Sequence, residues 1–403
     1  MRIEGRPELG HLTYCTNIHA GEPLDEVMAS LARHLPVIRA KAAGDQPMGV
    51  GLRLGNAAVT ALADPERLGE LKQFLDEGNY YVFTVNGFPY GAFHGQTVKE
   101  GAYRPDWADP RRFAYTNQLA EILAHLLPAG QGGSLSTVPC TFKPWAAGRV
   151  EAFTDPLIRQ VAHLWRIASE RGKVITLALE PEPHCYLETI DETVAFFNTC
   201  LFSRSAVMRL AELTGLSPAA AEEAMHRHIG VCYDVCHAAV EFEDARASIA
   251  RLRESGIAIA KVQLSSAMRI AHLDGDSIRQ LATFAEPVYL HQVVARSAGQ
   301  LQRYQDLPQA LEAAERARAA GSLGDTEWRV HFHVPIFLPE MKDFGTTQAF
   351  LSEVLDLHRV DPVSQHLEVE TYTWDVLPAA YHDVDLSTAI ARELNWVRQR
   401  LAA

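Results

Sequence analysis

Polar residues that could do chemistry stand at the carboxyl ends of apolar segments along this sequence. In chain order they are Glu180, Glu182, Asp234, His237, Gln263, His331, His333, Glu368 and Glu370. Residues two apart on a strand point to the same face, so Glu368 and Glu370 are expected to share one face. The same spacing brings His331 and His333 together. In each pair the later residue is expected nearer the end of its strand.

Three of these residues, Glu180, Asp234 and Glu370, favour a metal site when they are taken together. An ionised carboxylate at the end of an apolar strand loses its hydration and needs a compensating partner. Several carboxylates at one place repel each other unless a cation lies among them. Oxygen ligands suit Mg²⁺ or Mn²⁺ best, with Zn²⁺ as the alternative. Taken singly, each carboxylate is better explained by an arginine partner or by a helix cap.

Nine short β-like segments alternate with longer helical ones over the whole sequence. They are Leu12–Thr16, Val50–Leu54, Tyr81–Val85, Leu135–Val138, Val174–Leu179, Gly230–Tyr233, Ala258–Leu264, Arg329–Val334 and Leu367–Thr371. This alternation predicts βα units around a parallel sheet. The sequence therefore predicts a (β/α)₈ TIM barrel, in which chemistry takes place at the carboxyl ends of the strands. Because such a barrel needs eight strands, one segment lies outside it; Val50–Leu54 and Arg329–Val334 have the weakest patterns.

No linker divides the sequence, so residues 1–403 are expected to form a single barrel domain. Three connections, 87–110, 200–227 and 265–305, exceed ordinary lengths and are expected to be elaborated loops or lids. The first is rich in aromatic side chains, which either wall an apolar substrate or pack on one another. These are Phe88, Tyr90, Phe93, Tyr103 and Trp107.

The charge balance limits the classes of partner. The sequence has 403 residues, with 37 Lys and Arg against 50 Asp and Glu, and a formal charge of −13. A net acidic surface argues against nucleic acid or an anionic membrane as a partner. No apolar run is long enough for a transmembrane helix, and the N-terminal segment lacks the pattern of a signal peptide. We expect a cytoplasmic protein with a small-molecule substrate, and the sequence leaves a homo-oligomer open.

The six cysteines show no close CxxC pair and no spacing typical of a zinc ribbon or a disulfide framework. Reduced thiols are therefore expected, in agreement with a cytoplasmic protein. Cys232 and Cys236 flank Asp234, and buried free thiols are a simpler interpretation than redox chemistry or metal binding.

Several motifs resemble those of the xylose isomerase-like barrels, a superfamily of sugar epimerases, hydroxypyruvate isomerases and endonuclease IV-type nucleases. They are Glu-Pro-Glu-Pro at 180–183, Asp-Val-Cys-His at 234–237, the polar strand end at Gln263 and Val-Glu-Thr at 369–371. Longer segments are similar to the EboE-like family of bacterial metabolite traffic proteins, encoded in clusters of prenylated secondary metabolism. They are LTYCTNIH at 12–19, NGFPYGAFH at 86–94, LSTVP at 135–139 and EVETYTW at 368–374. The similarity covers essentially the whole chain.

The resemblance implies a metal-ligand set and a substrate-binding set. The four metal ligands of the superfamily match Glu180, Asp234, Gln263 and Glu370. His237, the histidine of the Asp-x-x-His motif, corresponds to a residue that touches substrate or a water bound to the metal, and His94 and His333 complete the expected substrate-binding set. The additional pair of histidines before the last strand departs from the pattern. It leaves open whether His333 replaces Gln263 on the metal.

Three functions are consistent with these residues. The leading hypothesis is a metal-dependent isomerase or epimerase of an α-hydroxycarbonyl compound, linked to secondary-metabolite handling, which works through an enediolate. Glu180 and Glu370 are its predicted catalytic acid and base, and they exchange roles in the reverse direction. The alternatives are a metal-containing protein that binds and delivers a metabolite without turnover, and an endonuclease IV-like phosphodiesterase. The acidic charge disfavours the nuclease.

Overall fold

The structure, a computed structural model, describes residues 1–377 and 384–402. Its strands, in chain order, are β1 (His11–Tyr14), β2 (Met48–Arg53), β3 (Tyr80–Asn86), β4 (Gly133–Thr137), β5 (Ile175–Leu179), β6 (Ile229–Asp234), β7 (Ala258–Leu264), β8 (Met268–Ile270), β9 (Val293–Ser297), β10 (Gln300–Tyr304), β11 (Glu327–Val330), β12 (Gly345–Thr346) and β13 (His366–Val369). Strands β1 to β7 and β13 form a parallel sheet in the order β1-β13-β7-β6-β5-β4-β3-β2. This order confirms the predicted (β/α)₈ barrel.

The barrel closes between its two end strands, β1 and β2. Cys15 and Gly51 form a parallel bridge there, and the Thr13 hydroxyl donates to the carbonyl oxygen of Gly49 at 2.8 Å. Glycine is required at position 51 because a Cβ atom would collide with the Glu368 carboxylate in the barrel interior. The close approach of the two strands therefore depends on the absence of a side chain.

Helices cover the outside of the barrel. In chain order they are α1 (Leu24–Ala42), α2 (Asn56–Ala61), α3 (Pro65–Glu77), α4 (Pro110–Leu126), α5 (Val150–Arg171), α6 (Ile190–Phe196), α7 (Arg204–Thr214), α8 (Pro218–His228), α9 (Val235–Val240), α10 (Ala245–Glu254), α11 (Gly275–Leu281), α12 (Leu307–Ala319), α13 (Gln348–Val360) and α14 (Leu386–Ala402). Helix α5 shows why they pack inward: Phe153, Leu157, Val161 and Leu164 recur at helical spacing and are fully buried. Among the described residues, no helix is long and apolar enough to cross a membrane.

A second, antiparallel sheet is inserted between β7 and α13. Its strand order is β10-β9-β11-β8-β12, and α11 and α12 pack on it around a separate apolar core. The insertion begins at the end of β7, where the connection 265–305 was expected, but it continues to β12. The ninth strand candidate, Arg329–Val334, lies in this insertion and not in the barrel. Only its first two residues belong to a strand, because β11 ends at Val330. The other weak candidate, Val50–Leu54, belongs to β2 of the barrel.

The other two long connections differ from each other in structure. Residues 87–110 contain one 3₁₀ helix, Lys99–Tyr103, and otherwise form a loop. Residues 200–227 were expected to form a loop or lid, but most of them belong to α7 and α8. Both helices begin with a serine cap, Ser203 and Ser217, whose hydroxyls accept backbone N–H groups. This segment therefore belongs to the outer helical layer.

Candidate active site

A cavity of about 50 Å³ lies at the carboxyl ends of the barrel strands. Its lining includes three carboxyl groups, Glu180, Glu182 and Glu370, and side chains of the connection 87–110. Tyr289 from the insertion and Tyr372 after β13 also line it. Apolar walls around a few convergent polar groups are typical of a site for a small molecule.

Three carboxylates from different strand ends lie close together, and two of them, Glu180 and Glu370, line this cavity. Glu180 follows β5, Asp234 ends β6 and Glu370 follows β13, and one oxygen of each lies within 4.8 Å of the others. All three residues are at most 4% exposed. In the part of the chain that the structure describes, neither Oε2 of Glu180 nor Oδ2 of Asp234 has a hydrogen-bond partner. Because buried carboxylate oxygens need a proton, a donor or a cation, this group fits a divalent metal ion.

The electrostatics of the three carboxyl groups lead to the same conclusion. Burial raises the pKa of Glu180, and the nearby Asp234 raises it further. Burial also raises the pKa of Glu370, as do the charges of Glu180 and Asp234. Burial acts to raise the pKa of Asp234 too, but the His237 and His333 rings outweigh it, so this pKa is lowered. The Asp234 carboxylate thus opposes the ionisation of Glu180 and Glu370, and a divalent cation would remove that conflict.

Glu370 is held in place by three side-chain amides. Its Oε1 accepts hydrogen bonds from Asn17 Nδ2 at 2.8 Å, Asn86 Nδ2 at 2.9 Å and Gln263 Nε2 at 3.0 Å. Asn17 follows β1, whereas Asn86 ends β3 and Gln263 lies near the end of β7. Neither asparagine was among the predicted site residues. Extending the strand-end criterion from carboxylates to all amides would have found Asn86.

Gln263, the predicted third metal ligand, turns its nitrogen toward Glu370. Its Oε1 accepts from the Cys232 thiol at 3.0 Å, and this cysteine is buried and free, as predicted. A metal ligand must present the oxygen, which a half-turn of the amide would bring to the carboxylate side. The alternative third ligand, His333, has its Nε2 3.9 Å from Asp234 Oδ2.

Asp234 is oriented by the start of α9, for which it is the N-cap. Its Oδ1 accepts from the backbone N–H of His237 at 3.0 Å and from the Ser265 hydroxyl at 2.8 Å. The same hydroxyl accepts from the backbone N–H of Cys236 at 2.9 Å. The first turn of the helix therefore fixes one carboxylate oxygen and directs Oδ2 away from the helix.

Three histidines lie beside the carboxylates. His237 belongs to α9, whereas His331 and His333 follow β11 of the insertion. His331 Nε2 lies 3.1 Å from His237 Nε2 and 3.2 Å from His333 Nε2. His237 and His331 line the cavity, and His333 lies fully buried beside them. The expected proximity of His331 and His333 is therefore present, although both lie beyond the end of the strand.

Glu182 connects the barrel to two neighbouring segments, the connection 87–110 and the insertion. Its Oε1 accepts from the Tyr103 hydroxyl at 2.7 Å and from Gln292 Nε2 at 3.2 Å. Burial raises the pKa of Glu182. Tyr103 belongs to the connection 87–110 and Gln292 to the insertion, so one strand-end carboxyl ties both segments to the barrel.

The structure does not place His94, a predicted substrate-binding residue, among the described residues that line the cavity. His94 Nε2 lies 2.6 Å from the carbonyl oxygen of Asn17, and its Nδ1 lies 3.2 Å from the Tyr289 hydroxyl. The ring of the preceding residue, Phe93, packs on Tyr289 with a centroid separation of 5.1 Å. His94 therefore supports the cavity wall from behind.

The aromatic residues of the connection 87–110 divide between the two predicted roles. Those that line the cavity are Phe88, Phe93 and Tyr103. Trp107 is fully buried and donates to the Thr137 hydroxyl at 3.2 Å. Tyr90 packs edge-on against Tyr115. The connection therefore forms part of the cavity wall and also packs on itself and on the barrel.

Comparison with known proteins gives similarities over nearly the whole chain at low sequence identity. No protein-family model and no curated protein matches the chain. Solved structures similar to it include a D-tagatose 3-epimerase-like protein, at 12% identity, with 98% of this chain and 100% of that chain covered and a TM-score of 0.47. The 3-keto-D-glucoside 4-epimerase YcjR from E. coli has 13% identity, coverages of 97% and 99%, and a TM-score of 0.40. The IolI protein with a bound zinc atom has 11% identity, coverages of 97% and 97%, and a TM-score of 0.43.

Proposed function

We propose that the protein is a metal-dependent isomerase or epimerase that moves a proton at the carbon beside a carbonyl group. The observation that carries this proposal is the close approach of Glu180, Asp234 and Glu370, of which Glu180 and Glu370 line the cavity. Carboxyl groups with raised pKa values at a buried site suit proton transfer near neutral pH. A metabolite-binding protein without turnover would need the same residues, so the proposal is tested through proton exchange.

Glu180 and Glu370 are the proposed acid and base. Strands β5 and β13 are separated in the sheet by β6 and β7, so the two carboxyl groups reach the cavity from different strands. One carboxylate accepts the proton from the substrate carbon, and the C–H electron pair moves toward the adjoining carbonyl. The other carboxyl group returns a proton to that carbon. Oε1 of Glu370 accepts from three amides, so Oε2 is the oxygen left for the ion or for the substrate proton.

The residues proposed to hold the metal ion are Glu180, Asp234, Gln263 and Glu370, with Gln263 acting through its amide oxygen. The ligands are mostly oxygen, so Mg²⁺ or Mn²⁺ is the proposed ion. When bound, the ion supplies the positive charge that polarises the substrate carbonyl. The capping hydrogen bonds of Asp234 suit a residue that holds the ion rather than one that carries a proton.

The charge of the cavity indicates an uncharged substrate rather than a phosphorylated one. Among the described lining residues, Lys99 is the only lysine or arginine. Its Nζ donates to the Asp306 carboxylate at 2.7 Å and to the carbonyl oxygens of Glu286 at 3.1 Å and Tyr289 at 2.7 Å. It therefore has little capacity left for a substrate phosphate. The motifs shared with the EboE-like family lead us to look for this hydroxycarbonyl substrate among intermediates of secondary metabolism.

The test is exchange of a substrate proton with solvent. Mn²⁺-loaded protein is incubated in heavy water with neutral α-hydroxycarbonyl compounds, and deuterium incorporation at the carbinol carbon is followed by NMR. We expect incorporation by the wild type and its loss in Glu180→Gln and Glu370→Gln, because Gln accepts no proton and binds the ion less tightly than the Glu carboxylate. Glu212→Gln on α7, where the glutamate side chain is 67% exposed, is the matched control and should retain exchange. Absence of exchange with every compound would favour the binding protein.

A further inference from the structure

The imidazole rings of His237 and His333 each bring their Nε2 atom close to the Nε2 atom of His331. The Nε2–Nε2 distances are 3.1 Å from His331 to His237 and 3.2 Å from His331 to His333. All three residues are at most 4% exposed. Nitrogen atoms at this separation either share a proton or need a cation between them.

Hydrogen bonds at the other nitrogen of each ring fix the tautomers. His237 Nδ1 lies 3.0 Å from the carbonyl oxygen of Pro181, and His333 Nδ1 lies 3.0 Å from the carbonyl oxygen of Glu370. A carbonyl oxygen only accepts, so both Nδ1 atoms carry the proton. A neutral ring then has a lone pair at Nε2.

The third ring, His331, is fixed in the same way by Gln292. His331 Nδ1 lies 2.6 Å from Gln292 Oε1. The orientation of this amide is set independently, because its Nε2 faces Glu182 Oε1, the Tyr103 hydroxyl and a backbone carbonyl. Its oxygen therefore faces His331, and the Nδ1 of His331 donates. In its neutral form each ring presents the Nε2 lone pair to a neighbouring ring.

The Tyr372 hydroxyl, 3.5 Å from His331 Nε2, can donate to one of these nitrogens. A metal ion bound by Nε2 of all three rings would compensate the converging lone pairs together.

We propose that His237, His331 and His333 form a second metal site, separate from the three-carboxylate site and selective for Zn²⁺. Imidazole nitrogen suits zinc, and ligands about 2.0–2.1 Å from a tetrahedral zinc lie roughly 3.3 Å apart, close to the separations found here. Asp234 lies between the two sites, with its Oδ2 3.9 Å from Nε2 of both His237 and His333. No described residue hydrogen-bonds to this oxygen. It can therefore serve either ion.

The second site accounts for the extra histidine pair and for the open question of the third ligand. His333 belongs to the zinc site, and Gln263 remains with the carboxylates. Because His237 and His331 line the cavity, the open position of a three-histidine zinc ion would face the substrate. His237 then acts on the substrate through the ion.

The test counts metal ions per chain and records the absorption spectrum of Co²⁺ substituted for zinc. Wild-type protein loaded with Mn²⁺ and Co²⁺ should bind two ions per chain and show the intense visible absorption of four-coordinate Co²⁺. His331→Leu should lose one ion and this absorption while keeping the Mn²⁺ ion. Glu180→Gln should lose the Mn²⁺ ion and keep the absorption. His272→Leu, where the histidine side chain is 81% exposed, should match the wild type.

Circular dichroism and retained Mn²⁺ binding check that His331→Leu is folded, and His333→Leu serves as a second variant. The inference is overturned if the wild type binds one ion that Glu180→Gln removes and His331→Leu does not. In that result the proposed isomerase would keep its metal and only the second site would fail. Two ions that both depend on Glu180, with a spectrum unchanged in His331→Leu, would also overturn it.

Discussion

Lys261 Nζ lies 2.5 Å from Glu368 Oε2 inside the barrel, one layer below the hydrogen bond between Gln263 and Glu370. The two layers follow from the parallel register, in which Glu368 pairs with Gln263 on the neighbouring strand. Neither charged side chain of the lower layer is exposed. Burial alone would lower the pKa of Lys261, but the facing carboxylate raises it. Beneath the site, Lys261 therefore acts to lower the pKa of Glu180 and Glu370, whereas its partner Glu368 acts to raise the pKa of both.

Replacing one member of this ion pair should be more damaging than replacing both. Lys261→Met leaves the Glu368 carboxylate buried without its partner, which we expect to lower the free energy of unfolding by about 3–5 kcal/mol. The double variant Lys261→Met/Glu368→Leu removes both charges and should be more stable than Lys261→Met alone. Urea denaturation of the three proteins measures the difference. Equal losses in the single and double variants would contradict this account.

Asp234→Asn should weaken metal binding while the protein stays folded. Asparagine keeps an oxygen that can accept from the His237 N–H and the Ser265 hydroxyl, so α9 keeps its cap. It removes the charge that the ion needs. Saturating Mn²⁺ at roughly 100 times its Kd should stabilise the wild type by about 2.7 kcal/mol, and the variant much less.

Thermal melts with Mn²⁺ and with chelator measure this difference in stabilisation. Asp244→Asn is the matched control, because Asp244 caps α10 in the same manner without lying at the cavity. A Mn²⁺-dependent rise in Tm that is as large in Asp234→Asn as in the wild type would remove Asp234 from the ligand set.

The sequence was sufficient to predict the barrel and the meeting of its strand-end carboxylates. Both follow from local patterns: apolar runs define the strands, and parallel strands bring their carboxyl ends to one face. Glu180, Asp234 and Glu370 each stand at the end of such a run, so the fold determines that they approach one another.

The rest of the site depends on contacts that leave no local pattern. His331 reaches His237 only because the insertion folds as an antiparallel sheet beside the barrel, and that pairing joins residues far apart in the sequence. Asn17 follows β1 after two intervening residues and carries no periodic signal. His94, in contrast, lies inside a distinctive sequence motif, but its ring is directed to the backbone carbonyl of Asn17 instead of the cavity.

Asn17→Ala should reduce turnover without unfolding the protein. Its amide is one of three donors to Glu370 Oε1, and a hydrogen bond to a charged group contributes about 1.5–3 kcal/mol. We expect kcat for proton exchange to fall roughly tenfold or more, because Glu370 is held less firmly, while Tm changes little. Asn395→Ala, which removes a surface amide bonded to the Lys41 carbonyl, is the control. A variant with normal kcat would show that the other two amides are sufficient.

Glu393 should make the protein less stable as the pH rises toward neutrality. Burial raises its pKa to about 7, whereas the unfolded chain has the ordinary glutamate value. The folded state therefore holds a proton that the unfolded state has lost, so this contribution to stability is complete below about pH 4.5 and disappears as the pH rises through 7. The loss is on the order of 3 kcal/mol. Glu393 accepts from the Ile336 N–H and the Thr371 hydroxyl.

Glu393→Gln keeps the acceptor oxygen for both hydrogen bonds and removes the titration. The variant should therefore lose less stability than the wild type between pH 5 and pH 8. Urea denaturation at closely spaced pH values measures both curves, and their difference isolates Glu393 from all other titrating groups. Because the proton stabilises the folded state, the two curves should diverge with rising pH, with the variant becoming the more stable protein. Parallel curves would mean that Glu393 titrates alike in the folded and unfolded chains.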